Sequence, residues 1–302
     1  MISVLCITGR ESQLMTRRQW LLLSAASLVG CGKDEAAARQ VTIRAGSFTV
    51  EVPADWNLGA GVQQVPIKPV FSESQWTKYQ GNPMFGLKPH YGNRPEHWAI
   101  RLPALRPPGT KVDYEEAGDD PVAPQILIHN ASQWSRVYSD GKHESKLANM
   151  SVPALRKQME DWIAKSETGA SPAFMDASLS FICLRKQLHF RGGRGVRVLC
   201  QWTIESTLVQ LGELHYMFLG MSDDDTCQII ATFPLNHPEL PKQGPSASHL
   251  GWSMERYSQL SKDMDRYESE AIHWMVENEK KFTPSLSALD TMIESLSATK
   301  WE

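Results

Sequence analysis

The stretch Gly212–Leu235, GELHYMFLGMSDDDTCQIIATFPL, predicts two β-strands joined by a tight turn. Apolar runs on both sides of the acidic residues 223–225 are typical of a hairpin. Side chains alternate between the two faces of a strand, and the first run is largely apolar on both: Leu214, Tyr216 and Phe218 share one face, and His215, Met217 and Leu219 share the other. A sheet with two apolar faces must be covered twice, so this stretch predicts an antiparallel sheet with helices above and below it.

The residues before this stretch extend the predicted sheet. ASLSFICLRKQLHF (177–190) and VRVLCQWTIE (196–205) read as strands, and RGGRG (191–195) between them predicts a hairpin turn. The cysteines Cys183, Cys200 and Cys227 lie inside these apolar runs, which favours buried free thiols over a disulfide. The C-terminal half is therefore predicted to contain an antiparallel meander.

The N-terminal half predicts fewer regular elements. SFTVEVPADW (47–56) alternates apolar and polar residues up to a proline, and HWAIRLPAL (97–105) and PQILIHNASQW (124–134) are two further strand candidates. Proline and glycine recur between them. We therefore predict a single domain over residues 41–302 with a loop-rich N-terminal half.

Three helices are predicted. SVPALRKQMEDWIAK (151–165) has Ser151 as a capping residue and Pro153 in the first turn. Ala247–Lys281 predicts a long C-terminal amphipathic helix, because apolar residues recur every three or four positions. These are Leu250, Met254, Tyr257, Leu260, Met264, Tyr267, Ala271 and Trp274. SLSALDTMIESL (285–296) predicts a short closing helix after Pro284, which completes an α+β fold.

Two stretches resemble one family. SFTVEVPADW is similar to the opening strand of PsbP-like proteins, where an alternating strand runs into a proline and then a tryptophan. GELHYMFLGMSDDDTCQIIATFPL resembles their late hairpin, which precedes the final helix. The resemblance implies an α/β/α sandwich with a central antiparallel sheet. It also implies a binding or assembly role near a membrane rather than chemistry, and it transfers no functional residue.

The segment TRRQWLLLSAASLVGC (16–31) predicts an export signal. Arg17 and Arg18 form a basic region, an uncharged run follows, and the segment ends in Cys31. The run Gln19–Gly30 is 12 residues long, whereas a membrane-spanning helix needs about 20. Residues 1–30 are therefore predicted to be a signal peptide. Met15 is an alternative translation start, and a buried N-terminal helix is the alternative to a signal.

The end of this segment resembles the lipobox of bacterial lipoproteins, formed here by Leu28, Val29, Gly30 and Cys31. The resemblance implies that the Cys31 thiol carries a lipid and that the chain is cut just before it. The arginine pair resembles a twin-arginine export signal. The expected location is a bacterial membrane, on its periplasmic or cell-surface side, with residues 31–40 as the tether.

Charge excludes one class of partner. The chain has 31 basic and 34 acidic residues, and removal of residues 1–30 leaves a net charge of −5. Nucleic-acid binding depends on clustered lysine and arginine that neutralise phosphates. We therefore expect no nucleic-acid partner.

Motifs that carry chemistry are absent from the sequence. There is no HExxH zinc motif, Walker loop or GxGxxG, so no metal or cofactor is predicted. Ser222 in GMSDD lacks the second glycine of a nucleophile elbow and is predicted to end a hairpin. The acidic stretches DYEEAGDD (113–120) and SDDDT (222–226) are predicted to be solvated turns, and RGGRG needs no bound anion to act as a turn.

Two groups of side chains stay open as binding candidates. His215, His237 and His249 could converge in the fold, although their spacing does not require it. Aromatic residues of the N-terminal half could form a platform for a partner, with core packing as the alternative. These are Trp56, Trp76, Trp98 and Trp134.

The leading hypothesis from the sequence is an exported, lipid-anchored, non-enzymatic protein that binds an envelope partner. One alternative is an envelope hydrolase whose site is assembled from distant residues. The other is a small-molecule binding protein with an apolar cavity lined by the N-terminal tryptophans.

Overall fold

A seven-stranded antiparallel sheet forms the centre of the protein in a computed structural model that describes residues 39–67, 94–106, 122–138, 151–164, 178–203 and 207–301. The strands are β1 (Gln40–Ala45), β2 (Phe48–Pro53), β3 (Gly61–Val65), β4 (His97–Arg101), β5 (Gln125–Asn130), β6 (Ser178–Phe190), β7 (Gly193–Thr203), β8 (Leu214–Ser222), β9 (Cys227–Pro234), β10 (Ser248–His249) and β11 (Trp252–Ser253). The strand order in the seven-stranded sheet is β3-β4-β5-β9-β8-β7-β6. The helices are α1 (Trp134–Tyr138), α2 (Val152–Ile163), α3 (Tyr257–Lys262), α4 (Met264–Glu277) and α5 (Leu286–Glu294).

The predicted C-terminal meander is confirmed. β6, β7, β8 and β9 pair antiparallel with their neighbours in chain order, and β5 inserts beside β9. The turn at Arg191–Gly192 joins β6 to β7, and Gly192 has a φ of 94° that favours glycine. Residues 223–226 form the turn between β8 and β9.

Both faces of the sheet are packed, as the alternation in β8 predicts. Tyr216 and Phe218 belong to a first hydrophobic cluster, whereas Met217 and Leu219 belong to a second one. The first cluster includes β1, β2 and residues of α3, α4 and α5. The second includes α1 and α2, with Trp134 and Trp162 fully buried. The fold is thus a mixed α+β arrangement around a two-sided antiparallel sheet.

The three N-terminal strand predictions and two of the three helix predictions are confirmed. Phe48–Pro53, His97–Arg101 and Gln125–Asn130 are strands. The Ser151 hydroxyl accepts a hydrogen bond from the Ala154 N–H at the start of α2. α5 begins in the same way, because the Ser285 hydroxyl accepts from the Ala288 N–H.

The prediction of a long amphipathic helix over Ala247–Lys281 is wrong. Residues 248–253 form the β10–β11 hairpin, and a break at Asp263 separates α3 from α4. Leu250 and Gly251 have φ values of 55° and 82°, which a right-handed helix excludes. The spacing of apolar residues led to this wrong prediction, because the apolar residues of the hairpin continue the three-to-four-residue repeat of the helices.

The described residues belong to one compact unit that spans Ala38–Glu302. Cys183, Cys200 and Cys227 are buried and free, which confirms the prediction for these thiols. Within the described ranges, no helix has both the length and the hydropathy that crossing a bilayer requires. The signal and lipobox residues Arg17, Arg18, Leu28, Val29, Gly30 and Cys31 lie outside the described residues.

Candidate functional site

The predicted tryptophan platform is divided between the two hydrophobic clusters. Trp56 and Trp98 are half-buried against the first cluster, and the Trp98 ring lies against Gly46. Trp134 is buried in the second cluster, with its ring 5.2 Å from that of His129. Trp76 lies outside the described residues, as does the acidic stretch 113–120. The described tryptophans therefore do not share one surface.

Two of the three candidate histidines converge. The rings of His237 and His249 lie 4.6 and 4.8 Å from the ring of Trp274. His215 does not join them, because it lies in β8 between two residues of the first cluster and its ring contacts Trp202 of the second. His237 and His249 meet Trp274 edge-to-face in the C-terminal part of the fold, where α4 meets the β10–β11 hairpin.

A hydrogen bond joins His249 to Tyr267. The Tyr267 hydroxyl accepts from the Val209 N–H at 2.6 Å and lies 3.0 Å from His249 Nδ1. The hydroxyl has a second lone pair and one proton, so it can either accept from Nδ1–H or donate to Nδ1, according to the ring tautomer. Burial lowers the pKa of His249 to about 4, and burial also lowers the pKa of His237. Both rings are neutral at pH 7, and the Tyr267 hydroxyl links His249 of the hairpin to the Val209 backbone.

The β10–β11 hairpin carries an exposed apolar residue on a strained backbone. His249 pairs with Trp252, so Leu250 and Gly251 are the two turn residues. Both have positive φ, the conformation of a type I′ turn, in which asparagine and glycine are preferred. Leu250 is 39% exposed. A leucine in the left-handed region costs about 1–2 kcal/mol.

A cleft of about 200 Å³ lies beside this turn. Leu250, Trp252 and Leu260 supply apolar surface, and Arg256, Gln259 and Arg266 supply polar groups. Trp252 is 8% exposed and Leu260 is buried, whereas the two arginines are exposed. The hairpin and α3 therefore form the apolar part of the cleft, and cationic side chains lie at its rim.

Three side chains of the cleft are joined by hydrogen bonds. Trp252 Nε1–H donates to Glu270 Oε2 at 2.7 Å, and Arg266 Nε donates to Glu270 Oε1 at 2.9 Å. These two bonds lower the pKa of Glu270, so it is a carboxylate. The Arg266 guanidinium lies 5.6 Å from the centre of the Trp252 ring, within cation–π range. We call Arg266, Glu270 and Trp252 the exposed trio.

A second group with the same chemistry is buried. The Arg197 guanidinium donates twice to Asp290, with both distances 3.2 Å, and the Tyr216 hydroxyl donates to Asp290 at 3.0 Å. Arg197 and Asp290 are each 3% exposed. We call Arg197, Asp290 and Tyr216 the buried trio. Lys186 also contacts Asp290 at 2.8 Å, so these groups satisfy one another and tie α5 to the sheet.

The remaining candidates for chemistry are structural in the described chain. The Ser222 hydroxyl donates to Asp224 at 2.7 Å and accepts from the Cys227 N–H at 2.9 Å, as expected for a hairpin end. Burial raises the pKa of the Cys183 thiol to about 12. The side chain of Arg194 in RGGRG pairs with Glu160. No three His, Cys, Asp or Glu side chains in the described ranges are grouped as a metal site.

Comparisons with known proteins add no relationship: no protein-family model, curated protein or solved structure matched the chain.

Sequence reasoning missed the cleft because it placed Leu250–Trp274 on one helix. A signal was present, since Gly251 interrupts the predicted helix directly after Leu250, and a glycine inside a helical pattern weakens that interpretation. Arg256, Arg266 and Glu270 had no pattern that marks a site.

Proposed function

We propose that this chain is an exported, lipid-anchored protein that binds a partner protein at the cell envelope through the cleft beside Trp252. The observation that carries the binding role is Leu250, an exposed apolar side chain on a strained turn at the edge of the cleft. Strain of this kind occurs preferentially at functional sites. The role would be non-enzymatic, and the fold would be an α/β/α sandwich of the PsbP-like type.

The size of the cleft favours a partner's side chain over a small molecule. Sites for drug-sized ligands usually enclose about 300–1,000 Å³, whereas this cleft has about 200 Å³. Protein interfaces often concentrate their binding energy in one side chain that fills a pocket of the other protein. The cleft would therefore hold a single anchoring residue of the partner.

The lining indicates the chemistry of that residue. Trp252 and Leu250 offer apolar contact, and Arg256 at the rim has no hydrogen bond or ion pair within the described residues. Arg266 is already paired with Glu270, so Arg256 is the cation available for a new bond. An apolar anchor followed closely by a carboxylate fits this arrangement.

The envelope address is supported by the sequence TRRQWLLLSAASLVGC, with Cys31 as the lipid-bearing residue. The first described strand begins at Gln40, the last residue of the tether predicted for residues 31–40. Lipid on Cys31 would hold the domain near the membrane surface, on the periplasmic or cell-surface side.

Site-directed photocrosslinking in living cells tests the binding role. A photoreactive residue at Gln259, inside the cleft, should give an adduct with a partner protein, and one at the exposed neighbour Ser258 should not. Leu250→Asn should weaken the adduct while leaving the thermal midpoint unchanged or higher. An adduct of equal yield from both positions, or one insensitive to Leu250→Asn, would contradict the proposal.

Mass spectrometry of the protein extracted from its native membrane tests the address. We expect the mass of residues 31–302 plus acyl chains. Replacing Arg17 and Arg18 with lysine should block export if the twin-arginine route is used. A mass that includes residues 15–30 without lipid would remove the support for an envelope location.

A further inference from the structure

The turn between β2 and β3 carries the most exposed large hydrophobic side chain of the described residues. Leu58 is 69% exposed, and the next in this order is Val276 at 52%. The run 56–67 has no charged residue, and Trp56 in the same turn is half-buried against the first cluster. A single exposed leucine is common on protein surfaces, so its neighbours decide what could cover it.

The predicted tether enters the fold beside this turn. The Arg39 carbonyl accepts a hydrogen bond from the Ala54 N–H at 2.8 Å. The backbone then curls back on itself, because the Leu58 N–H donates to the Asp55 carbonyl at 3.4 Å. Leu58 is therefore held one short turn away from the point at which the tether ends.

This tether is short relative to the domain. Eight Cα steps separate Cys31 from Arg39, and a chain spans at most about 3.6 Å per residue, so a lipid on Cys31 starts within about 29 Å of Arg39. A flexible chain of this length spans roughly 16 Å on average. A folded unit as long as Ala38–Glu302 has a diameter of about 45 Å. The bilayer that holds the lipid therefore stays close to the side of the domain on which Arg39 lies.

We propose that Leu58 and Trp56 insert into the surface of the bilayer that holds the lipid of Cys31. The inference rests on the lipid anchor proposed above. Leucine and tryptophan are residues that proteins bury at the boundary between headgroups and acyl chains, and an uncharged run can enter that boundary without desolvating a charge. Arg39 and Asp55 are the exposed charges beside the turn, and both can stay solvated among the headgroups.

The contact orients the domain rather than anchoring it. A single myristoyl chain gives only marginal membrane binding, and two side chains contribute less apolar surface than such a chain. Once the lipid holds the domain at the bilayer, however, the contact becomes intramolecular, and a weak contact is then sufficient. Leu58 and Trp56 thus fix which side of the domain faces the membrane and which surfaces stay free for a partner.

The opposite edge of the sheet supplies a matched control. Val276 is exposed like Leu58, but it lies in α4, where its neighbour Met275 packs against Cys183 of β6. β6 and β3 are at the two ends of the strand order, and six strand spacings of about 4.8 Å put roughly 29 Å between them. Val276 should therefore stay in water when Leu58 meets the bilayer.

Depth-sensitive fluorescence of the lipid-bearing protein tests the contact. The protein is extracted from its native membrane and placed in vesicles of phosphatidylethanolamine and phosphatidylglycerol with brominated acyl chains, which quench only fluorophores within the bilayer. Cys183, Cys200 and Cys227 are buried, so an added surface cysteine takes the fluorophore. A fluorophore on Asn57→Cys should be quenched at least about threefold more than one on Glu277→Cys.

Charge substitution identifies the side chain responsible. Leu58→Asp should reduce the quenching at Asn57→Cys to the level of Glu277→Cys, and Val276→Asp should not change it. Equal quenching at the two positions, or quenching insensitive to Leu58→Asp, would overturn the inference. So would a fluorophore on Asn57→Cys that is shielded from aqueous iodide but not quenched by brominated chains, because that pattern indicates a protein cover.

The mass of the same preparation distinguishes the two ways of failing. A mass without lipid on Cys31 would remove both the proposed anchor and this contact. A mass with lipid, together with an unquenched fluorophore on Asn57→Cys, would remove this contact alone and leave the anchor in place.

Discussion

The buried trio and the exposed trio combine the same three kinds of group: an arginine, a carboxylate and an aromatic donor. In the buried trio, Arg197 and Asp290 are each 3% exposed. In the exposed trio, the side chain of Arg266 is 73% exposed and that of Glu270 is 37% exposed. Water can compete for the bonds of Arg266 and Glu270, whereas Arg197 and Asp290 are shielded from water and bonded within the fold, where Lys186 also contacts Asp290. The same chemistry is therefore shielded inside the fold in one place and accessible to water beside the cleft in the other.

The largest expected effect is the loss of the buried carboxylate. Asp290→Ala leaves Arg197 and the Tyr216 hydroxyl without their main acceptor, and breaking a buried pair typically costs about 3–5 kcal/mol. Chemical denaturation should show this drop in the free energy of unfolding. Glu270→Ala is the matched change in the exposed trio and should leave the denaturation midpoint close to that of the parent. Equal losses in the two variants would contradict the distinction between the trios.

A second prediction concerns the buried groups beneath the cleft. Tyr267→Phe removes the hydroxyl that accepts from the Val209 N–H and is hydrogen-bonded to His249 Nδ1. An unsatisfied buried donor costs about 1–3 kcal/mol, and we expect a loss of that size in the free energy of unfolding. Tyr257→Phe is the control, because Tyr257 is exposed. If both variants unfold alike, the hydroxyl of Tyr267 does not support the hairpin.

Acid should destabilise the protein through its buried histidines. Burial lowers the pKa of His249 and of His215 to about 4, so the unfolded chain takes up protons near pH 6.5 while the folded chain does not. The free energy of unfolding should therefore fall as the pH decreases from about 6.5 to about 4, by at most about 1.4 kcal/mol per pH unit for each histidine. Denaturation of His249→Gln over this pH range should show a shallower slope. An unchanged slope would mean that His249 is protonated in the folded state.

The smallest expected effect concerns Leu250 in the β10–β11 hairpin, where stability and partner binding should respond in opposite directions. Leu250→Asn creates an Asn-Gly turn, which suits two residues of positive φ, and should raise the free energy of unfolding by about 0.5–1 kcal/mol. Leu250→Ala keeps the strained backbone and should bring no such gain. Both variants should weaken the photocrosslink from Gln259. A loss of stability in Leu250→Asn would show that Leu250 contributes to packing after all.

The comparison also shows what patterning could predict. Strands such as Phe48–Pro53 and the meander from β6 to β9 were predictable, because alternation and turn residues are local properties of the chain. Ser151 and Ser285 were equally readable as the starts of α2 and α5. The hairpin at Leu250 was not predicted, because its apolar residues continue the three-to-four-residue spacing of α3 and α4.

The sequence by itself determined the two-sided sheet and the burial of the three cysteines, whereas the lipid on Cys31 stays a prediction. Each of these depends on neighbours in the chain, such as the alternation through Tyr216 and Met217. Only the tertiary structure decided that Arg197 donates a hydrogen bond to Asp290, 93 residues away. The same holds for Trp252, which donates to Glu270 across a break in the helical pattern. Hydrogen bonds between distant residues are selected by packing, which also sets the exposure of each pair and so separates the buried trio from the exposed trio.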